Sequence, residues 1–230
     1  MVRRMSPESR ERPQRTAPAE PLVAVFVVIF TVVDDDLKVL LIRRGIDPFK
    51  GQWAIPGGRL RQQETLDKAA ARKLVEETGV QDVYLEQLYT FSELDPQARG
   101  GAVAIAYFAL VDYDSVRLPE REEWSTCWFS LKGLPSLAFA NESVLDYALS
   151  RLRNKMEYTN VAYSLLPRYF TMSQLQKVYE SILDKGVDKR NFRKRMLALG
   201  LVQPTERKAA TGAHRPAQIY TFSSRTPTVI

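Results

Sequence analysis

The stretch Leu22–Val33 is almost uninterruptedly apolar and rich in Val and Phe, a pattern that predicts a central strand covered on both faces. Asp34-Asp35-Asp36 supplies a turn, and Leu37–Arg44 returns as a second strand. The loop Gly45–Trp53 holds Pro48 and Phe49, and the segment AIPGG then delivers the chain to a helix that begins near Thr65 and stops at Gly79. Leu66, Ala70 and Leu74, with Ala69 and Val75 less regularly, give that helix an apolar face, and Gly79 is the expected left-handed stop. Val83–Glu93 and Val103–Val111 alternate as strands, joined by a DPQARGG loop carrying Arg99. Glu122–Leu131 reads as a further strand, and Asn141–Met156 as a helix with Val144, Leu145, Ala148, Leu149 and Leu152 facing inward. Strands alternating with helices on two sides of a mixed sheet predict an α/β protein, an α/β/α sandwich.

The pattern changes after Tyr158–Pro167, the natural junction and the expected place for one module to turn on the other. Thr171 is placed to cap a helix whose inner stripe is Leu175, Val178, Tyr179 and Ile182. Gly186 makes a turn. A second helix, Asp188–Leu199, buries Phe192 and Met196 and presents Lys189, Arg190, Arg193 and Lys194 outward, with Gly200 as its end. Leu201-Val202 and Gln218–Phe222 read as two short strands, and the loop between them carries Arg207, Lys208, His214 and Arg215. Helix, turn, basic helix and β-hairpin is the order of a small winged helix-turn-helix. The predicted division is a polar tail over 1–20, a first domain over 21–157, a DNA reader over 158–224 and a tail over 225–230.

Charge sharpens that division. The net charge is +6, yet residues 168–230 hold twelve Lys/Arg against four Asp/Glu, so the middle of the chain is acidic. A basic module with an apolar-backed helix is equipped for duplex DNA, the loop cations serving phosphates or a minor groove. A dimerisation module with a basic surface is the blander alternative. No apolar run is long enough to span a membrane, and the basic N-terminus lacks the apolar segment of a secretory signal. Cys127, the single cysteine, fits a reducing cytosol and reads as a core thiol on a strand. With His214 as the single histidine, histidine zinc sites and Ser-His-Asp triads lack material.

The most specific signal is GGRLRQQETLDKAAARKLVEETGV, Gly57–Val80. A glycine turn leading into a helix with carboxylates on one face suits divalent cations held against a pyrophosphate; an ordinary amphipathic helix with a solvated acidic face is the plain alternative. Gly58, Glu64, Arg72, Leu74, Glu76, Glu77, Gly79 and Val80 fall in the register of G-x5-E-x7-R-E-U-x-E-E-x-G-U, with U aliphatic, and so the stretch resembles the Nudix box. One position departs. Where the family has a glutamate that binds magnesium together with the two that follow, this chain has Lys73. Three and four residues before Glu76 and Glu77, an ammonium cancels their charge without acting as a Lewis acid. The resemblance therefore implies a Nudix pocket impaired in catalysis, Glu76 and Glu77 being at most a weak or vestigial magnesium site.

An altered Nudix domain followed by NFRKRM, GLVQ, TERK and HRPAQIYTF resembles the Nudix-related transcriptional regulators of the NrtR type over roughly 22–224. What that resemblance implies is a bacterial, cytoplasmic homodimer that represses NAD-biosynthesis genes, binds double-stranded operator DNA, needs no cofactor and takes ADP-ribose or a related nucleotide as effector. The residues themselves furnish a pocket: Arg59 beside the glycine turn and Arg99 for a diphosphate, Trp53, Phe49 or Phe91 for stacking on adenine, and Arg72 as a brace onto Glu76. Three other readings stay open: a working Nudix pyrophosphatase using Glu64, Glu76, Glu77 and Glu93, a winged helix used for RNA or protein contacts, and a sugar-sensing regulator of the same build.

Overall fold

Strand β1 (Leu22–Val33) is apolar along its whole length because a layer covers each of its faces. Val25, Val27 and Ile29 point into one core and Val28 and Phe30 into the other. In this computed structural model, which describes residues 22–92, 102–119, 125–209 and 216–229, β1 lies inside a seven-stranded mixed sheet. Its companions are β2 (Asp36–Arg43), β3 (Trp53–Ala54), β4 (Gly57–Arg59), β5 (Tyr84–Ser92), β6 (Ala102–Leu110) and β7 (Thr126–Ser130). The main path runs β3-β2-β1-β6-β5, with β4 added to β1 and β7 to β2. Among the described strands, β1 and β6 are the one pair that runs parallel, from Leu22↔Ala102 to Phe30↔Leu110. The β1–β2 turn places Asp34 and Asp35 at φ 54° and 58°, the left-handed pair that a two-residue hairpin demands and that aspartate tolerates.

Helix α1 (Leu66–Thr78) closes one face of the sheet, burying Ala69, Ala70 and Leu74. Its ends follow the sequence: the Thr65 side chain accepts the Lys68 N–H, and Gly79 at φ 69° donates its N–H to the Val75 carbonyl. An L-side chain at Gly79 would be strained there. Helix α2 (Asn141–Tyr158) closes the opposite face with Val144, Leu145, Ala148, Leu152 and Met156. The α/β/α sandwich is thus as expected. Cys127 is not: it is exposed on β7, because that strand pairs only with β2 at the margin of the sheet.

The C-terminal module is helix α3 (Met172–Leu183), helix α4 (Lys189–Ala198) and a three-stranded sheet, β8 (Phe170–Thr171), β10 (Ala217–Phe222) and β9 (Val202–Ala209) in spatial order. This is the winged helix-turn-helix, with differences in detail. Phe170-Thr171, read as a helix start, also forms a short strand against β10, while Thr171 and Gln174 make a capping box. The first wing strand extends through Arg207 and Lys208, which therefore stand on β9 and not on a loop.

Two further expectations change. The junction is no open hinge: Val161–Leu165 form a buried 3-10 turn, and one apolar cluster runs from Val28 and Phe108 through Val161 and Leu165 to Phe170, Leu175 and Phe222. The stretch read as a C-terminal tail is held down. Asn160 Nδ2 donates to the carbonyls of Ser224 and Thr226 at 3.1 and 2.9 Å, and its Oδ1 accepts the Thr228 N–H at 2.8 Å. Arg225 donates to the Leu166 and Pro167 carbonyls at 3.0 and 3.3 Å.

A shared core has a measurable consequence. Trp53, Trp124 and Trp128, the only tryptophans, all lie in the first domain, whereas Phe170, fully buried, belongs to the second. Phe170→Ala should cost about 3–5 kcal/mol and lower the tryptophan-fluorescence midpoint in guanidinium. A far-ultraviolet transition that separates from the fluorescence transition in the wild type would show the modules to be independent.

Candidate functional site

The helix of the Nudix-box pattern carries a compact ion network. Arg72 donates to both oxygens of Glu64, at 2.7 and 2.8 Å, and reaches Glu76 Oε1 at 3.2 Å. The Arg61 N–H also binds Glu64, at 3.1 Å, and its guanidinium lies 3.4 Å from Glu76 Oε1. Lys73 Nζ sits 2.7 Å from the other oxygen, Glu76 Oε2. These contacts follow from helical spacing, since residues 72, 73 and 76 share a face. They also follow from the turn at Gly57-Gly58, which strand β4 holds against β1 at Ala24, Val25 and Phe26. A Cβ on Gly58 would stand 2.9 Å from Lys73 Cε, so the lysine stem lies close across the glycine turn and its flexible end would have to shift to admit a side chain there.

The carboxylates respond to these neighbours. The two hydrogen bonds from Arg72, with the Arg61 N–H, hold the Glu64 carboxyl at about 2 against the usual 4.5. Burial pushes Glu76 upward, but the Lys73 ammonium and the Arg72 guanidinium outweigh it, and its carboxyl ends below the ordinary range. Magnesium, which the box pattern implies, does not fit this donor set. Both Glu76 oxygens face cations, Glu77 is 1% exposed, and Lys73 stands where the pattern has a carboxylate. Among the described residues no group of three or more His, Cys, Asp or Glu side chains is arranged to hold an ion.

The other pocket candidates are scattered. Arg59 is exposed at the end of β4, beside the glycine turn. Trp53 packs edge-on against Phe129 at 4.7 Å, and Phe49 against Phe139 at 4.8 Å. Phe91 lies edge-on to Tyr89 and Tyr147. Arg72 braces Glu76, as read from the sequence, but its main partner is Glu64. Arg99 lies outside the described residues. Arg61, Arg44 and Phe139 went unnoticed in the sequence: Arg61 falls at a box position the pattern leaves free, and the Arg44 guanidinium, 4.4 Å over the Phe139 ring, depends on a contact across the fold.

The basic face is built on α4. Phe192 and Met196 anchor it, at 7% and 2% exposure, so Lys189, Arg190, Arg193 and Lys194 face outward. A groove of about 620 Å³ runs between this helix, the start of α3 and the wing, bordered by Thr171, Ser173, Lys189, Arg193, Lys208 and Gln218. The Arg193 guanidinium lies 5.8 Å over the Tyr220 ring. Arg207 stacks at 4.2 Å on Tyr169, which Arg168 also approaches, at 5.5 Å. That aromatic platform had no signal in the sequence, because Arg207 is remote from Tyr169 along the chain. His214 and Arg215 lie outside the described residues.

Fold and site together define a Nudix sandwich with Lys73 paired to Glu76 on its box helix, fused through a common core to a winged helix with a basic reader. Residues 22–148 match the NUDIX domain family and residues 162–222 the NrtR DNA-binding winged helix domain. The chain belongs to the NrtR-type, Nudix-related transcriptional regulators. It is 38% identical over 216 residues to the ADPR responsive transcriptional repressor NtrR of Acinetobacter baylyi, covering 91% of this chain and 85% of that protein. Its structure is similar to that of Shewanella oneidensis NrtR complexed with a 27mer DNA, with a TM-score of 0.78 and 34% identity over 87% of this chain and 93% of that one. The NUDIX domain of the same Shewanella protein complexed with ADP ribose matches 63% of this chain and 95% of its own, with a TM-score of 0.52 and 34% identity.

The Glu64–Arg72 pair gives a pH signature. Because the folded-state carboxyl titrates at about 2 and an ordinary one at 4.5, the stabilisation is complete above 4.5 and is lost as pH falls toward 2. Glu64→Gln should lower Tm at neutral pH and lower it progressively less on acidification. Parallel Tm-against-pH curves for the two proteins would mean that the pair adds nothing.

Proposed function

We propose that this chain is a transcriptional repressor that docks on operator DNA as a cytoplasmic homodimer and is released when ADP-ribose occupies its Nudix domain. The observation that carries this reading is the α4 reader and its groove sharing one core with a Nudix domain whose metal-binding face is altered. The relatives support it: the Acinetobacter protein is an ADP-ribose-responsive repressor, and the Shewanella protein has been crystallised with DNA and its NUDIX domain with ADP-ribose. Genes of NAD metabolism are the proposed targets, since the effector is an NAD derivative.

In this reading α4 enters the major groove with Arg190 and Arg193 at base edges, and Lys189, Lys194, Arg207 and Lys208 on phosphates. His214 and Arg215 complete the wing. Two readers in a dimer then demand two related half-sites. In the Nudix domain, Arg59 and Arg99 would hold the diphosphate and Trp53 or Phe49 flank the base. The Nudix domain acts as a sensor and not as a pyrophosphatase, because hydrolysis in the box pattern relies on the carboxylate that Lys73 replaces.

Duplexes selected from a random pool by the full-length protein, titrated by fluorescence anisotropy, test this. Selected sites should contain two similar half-sites. Arg193→Ala or Arg190→Ala should cost about 1–3 kcal/mol and relax specificity at one position, whereas Lys208→Ala should weaken all duplexes alike. Saturating ADP-ribose should weaken binding about 5–150-fold. Absence of any DNA binding at low salt would defeat the proposal.

Hydrolysis of ADP-ribose with magnesium should stay near background, followed by release of AMP. Robust turnover would return the chain to the pyrophosphatase class.

A further inference from the structure

We infer that Lys73 is a built-in replacement for the divalent ion, a tethered cation that holds the diphosphate of the nucleotide directly, so that ligand binding needs no metal. The inference rests on the proposal that the Nudix domain takes a nucleoside diphosphate derivative. It goes further by saying what neutralises that diphosphate.

Three observations converge. The Lys73 side chain is only 16% exposed and lies along Gly58, its Cε 2.9 Å from the place of a Cβ there. Its stem is laid into the turn that carries Arg59, so the ammonium is placed beside the candidate diphosphate site. Its Nζ bonds Glu76 Oε2 at 2.7 Å, which fixes the ammonium and uses one of its three N–H donors, leaving two for phosphate oxygens. The other Glu76 oxygen is held by Arg72 and Arg61, so the carboxylate anchors the lysine and is itself neutralised before any anion arrives.

Charge counting points the same way. A row of carboxylates repels a diphosphate unless a divalent ion intervenes. Replacing one carboxylate by an ammonium changes the local charge by two units, the charge of the magnesium ion it displaces. The replacement is not equivalent in chemistry. An ammonium attracts phosphate oxygens as a compact point charge but brings no bound water to ionise. A site so built retains the anhydride without attacking it, as a sensor must.

The test uses full-length protein and two independent readouts. In calorimetry with ADP-ribose, the wild type should bind with the same affinity, within about twofold, in excess EDTA and in excess magnesium. Lys73→Met, which keeps the length and removes the charge, should bind about tenfold or more weakly in either buffer, roughly 1.4 kcal/mol. Lys73→Glu should bind only with magnesium. In electron paramagnetic resonance with manganese alone, the wild type should leave the ion free and Lys73→Glu should capture it. Wild-type binding that EDTA abolishes, unchanged affinity in Lys73→Met, or manganese capture by the wild type would each overturn the inference. A wild type that binds ADP-ribose in neither buffer would instead overturn the ligand reading, while the manganese arm still decides whether the lysine excludes the metal.

Discussion

The constraint on which the rest depends is the burial of the junction. Val161, Ala162, Leu165 and Leu166 sit at 0–5% exposure between the sheet and the reader, in an apolar cluster that the two domains share. Burying a large apolar side chain is worth about 1.5–3 kcal/mol, and opening this joint would forfeit several such terms together. The clasp between Asn160 and the C-terminal segment, with Arg225 of that segment donating to the Leu166 carbonyl, adds hydrogen bonds whose donors and acceptors would otherwise be stranded in partly buried positions. The exposed ion pairs between the domains, Lys177–Asp35 at 2.6 Å and Lys132–Asp184 at 3.6 Å, contribute little beside this, because water and salt screen them.

On the other side of the sheet the same chain keeps a different kind of order. The Glu64–Arg72–Glu76–Lys73 network is polar, partly exposed and directional, and it fixes the glycine turn against the start of α1. Packing sets the distance between sheet and helix through Ala69, Ala70 and Leu74; hydrogen bonds then set which charges meet. Changing the one residue, Lys73, alters the electrostatic character of the face without touching the apolar contacts that make the helix. A Nudix scaffold can therefore lose its metal chemistry while keeping its fold.

How much of this was legible in the sequence follows from the range of the forces involved. β1, α1 and α4 announce themselves because their signals are local: an unbroken apolar run, an apolar stripe bounded by Thr65 and Gly79, a basic face backed by Phe192 and Met196. The box register exposed Lys73 as an anomaly. What could not be read were contacts closed by the tertiary fold. Nothing near Phe170 in sequence tells of its pairing with Tyr220, and nothing near Cys127 tells that its side chain is left exposed. The junction misled for the same reason. A stretch with tyrosine, asparagine and proline reads as a connector, whereas its apolar members are the seam between two modules.

The buried seam also bears on how a ligand signal travels. An effector changes DNA affinity only by binding the DNA-competent and incompetent arrangements differently, and the effect is reciprocal. A rotation at Tyr158–Pro167, the simplest route from sequence alone, would tear the common core. With the reader packed against α2 and β2, direct contacts connect the glycine turn through β1 and the Asp34–Asp35 hairpin to α3. In the proposed dimer, the arrangement left to vary at low cost is that of one chain against the other. Two readers must meet half-sites about one helical turn, or a multiple of it, apart. If the shared core holds the two domains of each chain together, a small change at the subunit interface of the proposed dimer becomes a large displacement at α4, and that displacement is what DNA would read.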